Sequence, residues 1–559
     1  MSLNINSLVF WYFGYVFPWY YMFIALLSIP LFSRKVTNPL KLVLSYFILA
    51  TVLIPPHIIV KEFIVFDTYP YAADATYLLK HGHIAWIHRL GTTPGYAITY
   101  AALGLISGLN INTLIKAYSL FILASLPILL ASVPRSNIAK ITLLILPFVF
   151  FPTQPINFHR ATMFLPYIPL VILILKLNLE RQRYGLLLGI LVVIAAASVY
   201  PMTAILVFLM AVTLALIVVL EIIITHGSAQ SYHNTKAIST FILGSLLATL
   251  IYYTFFSLGG YTMNKDFLYM LGNAISDIKR ILISPPTEIV HQGIYSAQDI
   301  TPELKFVVML RTFSLVILTL MTLSSCLLWL FKAKRSMFQL YLICLWLVTL
   351  LTLGIASFLL HYKGFLLKFP YTYVLLSCIT LTVSLETMNV PTSVGKYLRV
   401  LMPLVLTIQL LIIPLTSYAS LPIIHLQVTE LEASRYIIRH YIWAYTEPQC
   451  NKLYYIEYSS PWNFDLLAYD KDIMSFAQVP YNALLNISEF EKLVDHHPIL
   501  ITSRLILRDY YIVQPTSHAP LLDQAIVHLT HSKNLVYVSV GSNEYMGGSR
   551  EFALLYTSK

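Results

Sequence analysis

The sequence predicts a polytopic α-helical membrane protein that ends in a soluble α/β domain. Of its 559 residues, 58% are hydrophobic and only 11% are charged, and the mean hydropathy is +0.73. Soluble domains carry about 25% charged residues, so the composition excludes an ordinary globular enzyme. Apolar runs of roughly the 20 residues that cross a bilayer core recur between residues 8 and 421. The composition changes after them, where the second domain is expected.

The apolar runs are expected to be helices, because backbone groups inside a bilayer need hydrogen-bond partners within their own segment. A transmembrane barrel would alternate polar and apolar residues, which these runs do not do. The first run is long and lacks a basic leader, so we expect it to stay as a membrane helix rather than be cleaved. We predict about twelve spans, at residues 9–31, 41–60, 111–133, 138–152, 161–177, 184–200, 202–224, 237–258, 304–331, 337–360, 364–386 and 397–420.

Basic residues in the short connections predict the orientation of these spans. Clusters at residues 34–41, 135–140, 181–183, 332–335 and 396–399 all fall on one side of the membrane if the chain crosses twelve times. The positive-inside rule makes that side cytoplasmic, which places both termini outside the cytoplasm. The net charge of +11 is dispersed over these connections, a distribution that argues against nucleic acid as a partner.

The apolar segment TPGYAITYAALGLISGL, residues 93–109, decides the number of spans. A crossing here would move the later basic clusters to the opposite side of the membrane. We therefore expect a helix that lies in the outer interface and packs against the bundle. Residues 1–421 then form the transmembrane domain, with two large outer loops at residues 61–110 and 259–303.

Residues 422–559 are predicted to form an extracytoplasmic α/β domain. The stretches EFEKLVDHHPILITSRLI, LVYVSVG and REFALLYTSK alternate helix-like and strand-like patterns with turns between them. Three of the four cysteines lie inside apolar runs, and Cys450 has no obvious partner, so no disulfide framework is expected.

The first outer loop contains the stretch VFDTYPYAADATYLLKHGHI, residues 65–84. If the chain is helical from about Pro70, Asp67 lies at or just before the helix N-terminus, where unpaired amides and the helix dipole favour a carboxylate. Tyr71, Asp74 and Tyr77 follow Asp67 at spacings of four, three and three residues and form one polar-aromatic face. Asp67 and Asp74 are therefore candidate catalytic acids, and the two tyrosines are candidate substrate contacts.

Another face of this helix is expected to lie against the bundle. Ala72, Ala75 and Leu79 line it, and Gly82 is a plausible stop. The alternative is a purely structural role, in which Asp67 only caps the helix and Asp74 is a solvated surface charge.

The loop resembles the GT-C glycosyltransferase superfamily. The shared pattern is an aspartate after an early membrane helix, an aromatic-rich helix that ends in Gly, and a Pro-Gly-Tyr amphipathic segment that ends in SGLN. The resemblance implies a polytopic enzyme that uses a polyprenyl-phosphate-linked or dolichyl-phosphate-linked sugar, with the active site marked by an acid in the first outer loop. The matching residues are Asp67, Tyr71, Gly82, Pro94, Gly95 and Gly108.

Two further segments resemble the superfamily more loosely, and one departs from it. VYPMTAIL at residues 199–206 is similar to a Pro-x-Thr turn between two helices, although many relatives have histidine in place of Tyr200. HYKGFLLKFPY at residues 361–371 is similar to a basic outer turn before a late helix. FPTQPINFHR at residues 151–160 contains no carboxylate, whereas many relatives carry a second acid in that loop. Either Asp74 shares the acid role, an acid of the 259–303 loop does, or the enzyme works with one.

The expected reaction is inverting sugar transfer, with Asp67 as the base that takes a proton from the acceptor hydroxyl, a role worth about 10²–10⁴-fold in rate. Cations are needed for the leaving phosphate, and Arg160, Lys363 and Lys368 occupy short outer turns where the charge rule disfavours basic residues. His159 could donate a hydrogen bond beside Arg160. The alternative for these cations is that they bind anionic lipid headgroups.

No cofactor is predicted, and a divalent cation remains an alternative that the scarcity of acids weakens. His81, His83 and His88 are spaced by two and five residues, which suits no single face of a helix that would hold a metal. The expected partners are the lipid-linked donor, membrane lipids, and a glycan, lipid or protein acceptor.

Two other classes of function compete with an enzyme. A transporter or lipid flippase would place ionisable residues near the membrane midplane, often within internal repeats, whereas the charges here cluster at the ends of the spans. A non-catalytic membrane assembly protein is the second alternative, and a polymerase or ligase of cell-surface glycans is the nearest enzymatic one. The expected location is the plasma membrane of a prokaryote, with the endoplasmic reticulum as the alternative.

Overall fold

A computed structural model provides the three-dimensional structure. It describes fifteen ranges and a few isolated residues outside them, and for some residues inside the ranges, among them Tyr71, Lys363 and Lys368, it describes only the backbone. The ranges are residues 36–53, 68–83, 94–134, 163–179, 185–200, 202–225, 229–256, 302–332, 337–359, 363–387, 452–456, 475–479, 499–502, 518–543 and 549–557.

Eleven helices precede residue 388 within the described ranges, and a π-helical turn, Tyr252–Phe256, extends the eighth. The helices are α1 (Asn38–Leu53), α2 (Thr68–His81), α3 (Gly95–Ser107), α4 (Ile111–Ser132), α5 (Tyr167–Leu179), α6 (Gly185–Val199), α7 (Met202–Thr225), α8 (Ala229–Ile251), α9 (Pro302–Lys332), α10 (Met337–Leu359) and α11 (Lys363–Thr387).

Nine of the predicted spans coincide with described helices, namely α1 and α4 to α11. The helices α7, α9 and α10 each contain a stretch long and apolar enough to cross a membrane. These stretches are Met202–Val219, Thr312–Leu330 and Met337–Gly354. The predicted spans at residues 9–31, 138–152 and 397–420 are described only at isolated residues. A helical membrane protein follows from these three stretches, while the number of twelve spans stays a prediction.

Large apolar side chains are exposed on the surface of the bundle. Phe208, Leu320 and Leu351 are each more than half exposed, whereas Trp329 and Trp346 are fully buried. Soluble proteins rarely expose large contiguous apolar surfaces, so this distribution fits helices that face lipid hydrocarbon.

The helices form one continuous core. The helices α2, α3 and α4 pack on one another, and α3 also touches α6, which packs with α5 and α8. The helix α7 joins α8 to α10, and α9 and α10 both lie against α11.

Side-chain hydrogen bonds connect the last three of these helices. The Tyr373 and Thr319 hydroxyls are 2.6 Å apart, and the indole of Trp346 donates to Ser377 Oγ at 2.9 Å. Such bonds between membrane helices fix which faces meet.

The C-terminal part of the chain contains a five-stranded mixed sheet in the order β2-β1-β3-β5-β4. Its strands are β1 (Lys452–Ile456), β2 (Ser475–Val479), β3 (Ile499–Thr502), β4 (Asn534–Asn543) and β5 (Ser549–Thr557), and helix α12 (His518–Ser532) contacts β4. β2, β1 and β3 are parallel, whereas β5 runs antiparallel to β3 and β4. The predicted strand-like stretches correspond to β3, β4 and β5. The boundary at residue 422 and the side of the membrane stay predictions.

Candidate functional site

Helix α2 forms where the first outer loop predicts a helix, and it begins at Thr68, directly after Asp67 in the sequence. It ends at Gly82, whose φ of +73° is left-handed and whose N–H donates to the carbonyl of Leu78 at 2.9 Å. Glycine suits this cap because it has no β-carbon to clash in the left-handed region. The predicted stop at Gly82 is confirmed, while Asp67 lies outside the described residues.

The middle of α2 is enclosed by the protein. Ala72 and Ala75 are fully buried in the core, as the sequence predicts for the side that faces the bundle, and Asp74 is only 6% exposed. Residues 72 and 74 project to roughly opposite sides of a helix with 3.6 residues per turn. Asp74 is therefore not the solvated surface charge of the purely structural alternative.

The end of α2 emerges from the protein and carries an aromatic cluster of Tyr77, His81 and His83. The Tyr77 hydroxyl lies 3.1 Å from His83 Nε2, and His83 Nδ1 lies 3.1 Å from the carbonyl oxygen of His81. Because a carbonyl only accepts, Nδ1 donates to it, and neutral His83 then accepts from Tyr77. Tyr77 thus lies one turn beyond Asp74, at the rim of the site.

His81 and His83 lie beside each other at this end of α2, with ring centroids 6.2 Å apart. Both ring nitrogens of His83 are engaged, one of them by the backbone of His81. No group of three or more potential metal ligands of the types His, Cys, Asp and Glu occurs among the described residues. His88 lies outside them.

Helix α3 packs closely because its buried face contains two glycines. A β-carbon on Gly95 would overlap the side chain of Ser198 at the end of α6, and one on Gly104 would lie 3.2 Å from Ile111 and 3.3 Å from Leu79. The tight contacts hold α3 between α2, α4 and α6. Two of the glycines in the superfamily-like pattern thus have physical roles here, since Gly95 permits a close approach and Gly108 adopts a left-handed φ of +67°.

Helix α3 is short and presents one buried face and one exposed face. Its 13 residues span about 20 Å. Tyr96 and Tyr100 are buried on one face, and Leu105 and Ile106 are strongly exposed on the other. These features are those expected of the predicted interfacial helix.

The turn between α6 and α7 is closed by Thr203. Its hydroxyl and its N–H both donate to the carbonyl of Tyr200, at 2.9 and 3.2 Å. The Tyr200 ring is buried and lies 5.5 Å from that of Phe164. The Tyr200 ring thus packs in the core beside this turn.

The ends of three segments meet beside this turn. The hydroxyl of Tyr253, in the π-helical turn, donates to the carbonyl of Ala197 at 3.2 Å, and the neighbouring Ser198 lies against Gly95. At the other end of the bundle, Lys176 Nζ donates to the carbonyl of Val133 at 2.8 Å. Helix ends that the charge rule assigns to the same side of the membrane therefore contact one another.

Two buried residues that the sequence pattern did not single out are Ser245 in α8 and Tyr252 at the start of the π-helical turn. Their seven-residue spacing places them on the same side of a helix and was the available signal. The π-helical turn has no comparable signal in the sequence.

The predicted phosphate-binding cations are only partly described. Arg160 and His159 lie outside the described residues. The prediction that Lys363 and Lys368 occupy a turn is wrong, because α11 begins at Lys363 and includes both. Leucines, which favour helices, stand between them, and the helix continues through Pro370 because membrane helices tolerate proline.

No protein-family model and no curated protein matches this chain. The resemblance to the GT-C superfamily therefore rests on the sequence pattern alone.

Proposed function

We propose that this chain is an inverting membrane glycosyltransferase of the GT-C type. It transfers a sugar from a polyprenyl-phosphate-linked donor to an acceptor on the extracytoplasmic face of the membrane. The observation that carries the proposal is the burial of the Asp74 carboxylate in α2, one turn before Tyr77.

Burial of an ionised carboxylate is costly, with an effective penalty of several kcal/mol. A helix that served only as an anchor would tolerate an apolar or exposed residue at this position. The retention of a carboxylate in the enclosed part of α2 fits a group that handles protons or orients a substrate. The sequence places Asp67, the other candidate acid, directly before the same helix.

In the proposed reaction, Asp67 removes the proton from an acceptor hydroxyl as its oxygen attacks the anomeric carbon of the sugar. The bond from that carbon to the phosphate oxygen breaks, and its electron pair leaves with the polyprenyl phosphate. Arg160, Lys363 and Lys368 neutralise this leaving group, and His159 adds a hydrogen bond.

Asp74 serves as the second acid of the site, which accounts for the absence of a carboxylate from residues 151–160. Tyr71 and Tyr77 contact the substrate, whose sugar presents the C–H-rich faces that aromatic rings pack against. The location that fits this chemistry is a prokaryotic plasma membrane.

The experiment uses protein reconstituted in lipid vesicles with radiolabelled polyprenyl-phosphate monosaccharides and a crude membrane extract as the source of acceptors. A glycosyltransferase moves label from the polyprenyl phosphate to an acceptor molecule. A flippase moves labelled lipid between the leaflets but leaves the label on the polyprenyl phosphate. An assembly protein does neither, and either of these two results would contradict the proposal.

A further inference from the structure

Two hydroxyl groups are buried on the side of α8 that continues into the π-helical turn. Ser245 is 1% exposed and Tyr252 is 7% exposed. Neither hydroxyl has a hydrogen-bond partner among the described residues. An unsatisfied buried hydroxyl costs about 1–3 kcal/mol, so two on one face indicate partners that come from outside the chain.

Other hydroxyl groups on the same helix donate hydrogen bonds to backbone carbonyls. The hydroxyls of Thr240 and Thr249 donate to carbonyl oxygens one turn back, at 2.8 and 2.7 Å. Ser245 could donate to its own preceding turn in the same way and does not. Tyr253, directly after Tyr252, donates to the carbonyl of Ala197. The two open hydroxyls are therefore not a general property of this segment.

The face that carries the two hydroxyls extends along α8 into the π-helical turn, where Tyr253 contacts the end of α6. Seven residues of helix separate Ser245 from Tyr252, a distance of about 10 Å along the axis. Beside it, α6 packs closely on α8, since a β-carbon on Gly189 would overlap Phe241 and one on Gly244 would lie 3.3 Å from Ile190. Tyr252 opens the π-helical turn, a feature that is frequent at functional sites.

The chemistry of the pair selects the kind of ligand. A hydroxyl both donates and accepts, which matches the hydroxyls of a sugar. Phosphate only accepts, and its charge calls for cations. We propose that Ser245 and Tyr252 bind hydroxyl groups of the sugar on the lipid-linked donor, an inference that rests on the proposed function. The sugar pocket then lies on the inner face of α8 beside the end of α6.

Thermal unfolding and donor affinity together test this assignment. Full-length protein in nanodiscs is titrated with polyprenyl phosphate that carries mannose, glucose or galactose, and with unglycosylated polyprenyl phosphate. The variants are Tyr252→Phe and Ser245→Ala, and Tyr253→Phe is the matched control because it removes a hydroxyl that has a partner.

Without ligand, we expect Tyr252→Phe to unfold at the wild-type temperature or above it, since no hydrogen bond is lost. Tyr253→Phe should unfold at a lower temperature than wild type, because it loses the hydrogen bond to Ala197. Both Tyr252→Phe and Ser245→Ala should bind the glycosylated donor roughly 3- to 10-fold more weakly, the loss expected for one hydrogen bond. Their affinity for unglycosylated polyprenyl phosphate should equal that of wild type, and Tyr253→Phe should bind both lipids normally.

Equal affinity of wild type and both variants for the glycosylated donor would overturn the sugar contact and leave the proposed function intact. If the variants lost affinity equally for glycosylated and unglycosylated polyprenyl phosphate, the sugar contact would be overturned in favour of a phosphate contact. Failure of wild type to bind any of these lipids would overturn the inference and the proposed function together.

Discussion

Ser198 lies directly against the bare α-carbon of Gly95. A β-carbon at residue 95 would overlap the serine hydroxyl and would lie 2.9 Å from its carbonyl carbon and 3.0 Å from its carbonyl oxygen. The contact fastens the start of α3 to the end of α6, beside the residues that form the candidate site.

Gly95→Ala should therefore separate α3 from α6. The backbone of Ser198 cannot move aside as a flexible side chain would, so we expect a loss of about 1–3 kcal/mol in the free energy of unfolding. Gly354→Ala is the control, because no atom lies within 4 Å of the added β-carbon. In a helix this replacement should be neutral or stabilise by up to about 1 kcal/mol. Thermal unfolding measures both, and equal stability of the two variants would refute the contact.

Gly108→Ala should destabilise the end of α3. The residue has a φ of +67°, and its N–H donates to the carbonyl of Gly104 at 2.9 Å. A β-carbon in the left-handed region costs about 1–2 kcal/mol, and asparagine tolerates that region better than other side chains. The expected order of melting temperatures is wild type, then Gly108→Asn, then Gly108→Ala. An alanine variant as stable as wild type would contradict the left-handed cap.

Ser377→Ala should weaken the contact between α10 and α11. It leaves the buried indole N–H of Trp346 without its acceptor, and we expect a loss of about 1–2 kcal/mol. Thr380→Val is the control on the same helix, because the buried Thr380 hydroxyl has no hydrogen-bond partner among the described residues. That variant should unfold at the wild-type temperature or above it. The reverse order of stability would exclude this hydrogen-bond arrangement.

The bounds of several helices in the bundle could be predicted from the sequence. The bounds of α4 and α7 follow from apolar runs that end at polar or turn-forming residues, and the end of α2 follows from Gly82. These signals lie within one segment. The turn predicted at Lys363 and Lys368 was wrong because a helix begins at Lys363 and continues through Pro370, which a membrane helix tolerates.

The candidate site was less predictable because it depends on contacts between distant segments. The spacing of Asp74 in α2 placed it on a polar face, yet α2 is enclosed there, so a residue that reads as exposed is buried. The open hydroxyl of Tyr252 depends on what lies opposite it, as does the approach of Ser198 to Gly95. None of these follows from a residue and its neighbours in the chain.

The most direct test of the central claim is the rate of sugar transfer by Asp67→Asn and Asp74→Asn in reconstituted vesicles. Each variant keeps the size of the side chain and removes the carboxylate. We expect transfer to fall by about 10²-fold or more in Asp67→Asn and to fall clearly in Asp74→Asn, with melting temperature and donor affinity kept. Glu386→Gln in α11, in the part predicted to lie near the cytoplasmic side, should transfer at the wild-type rate. Wild-type transfer by both aspartate variants would contradict the assignment of the base to the first outer loop.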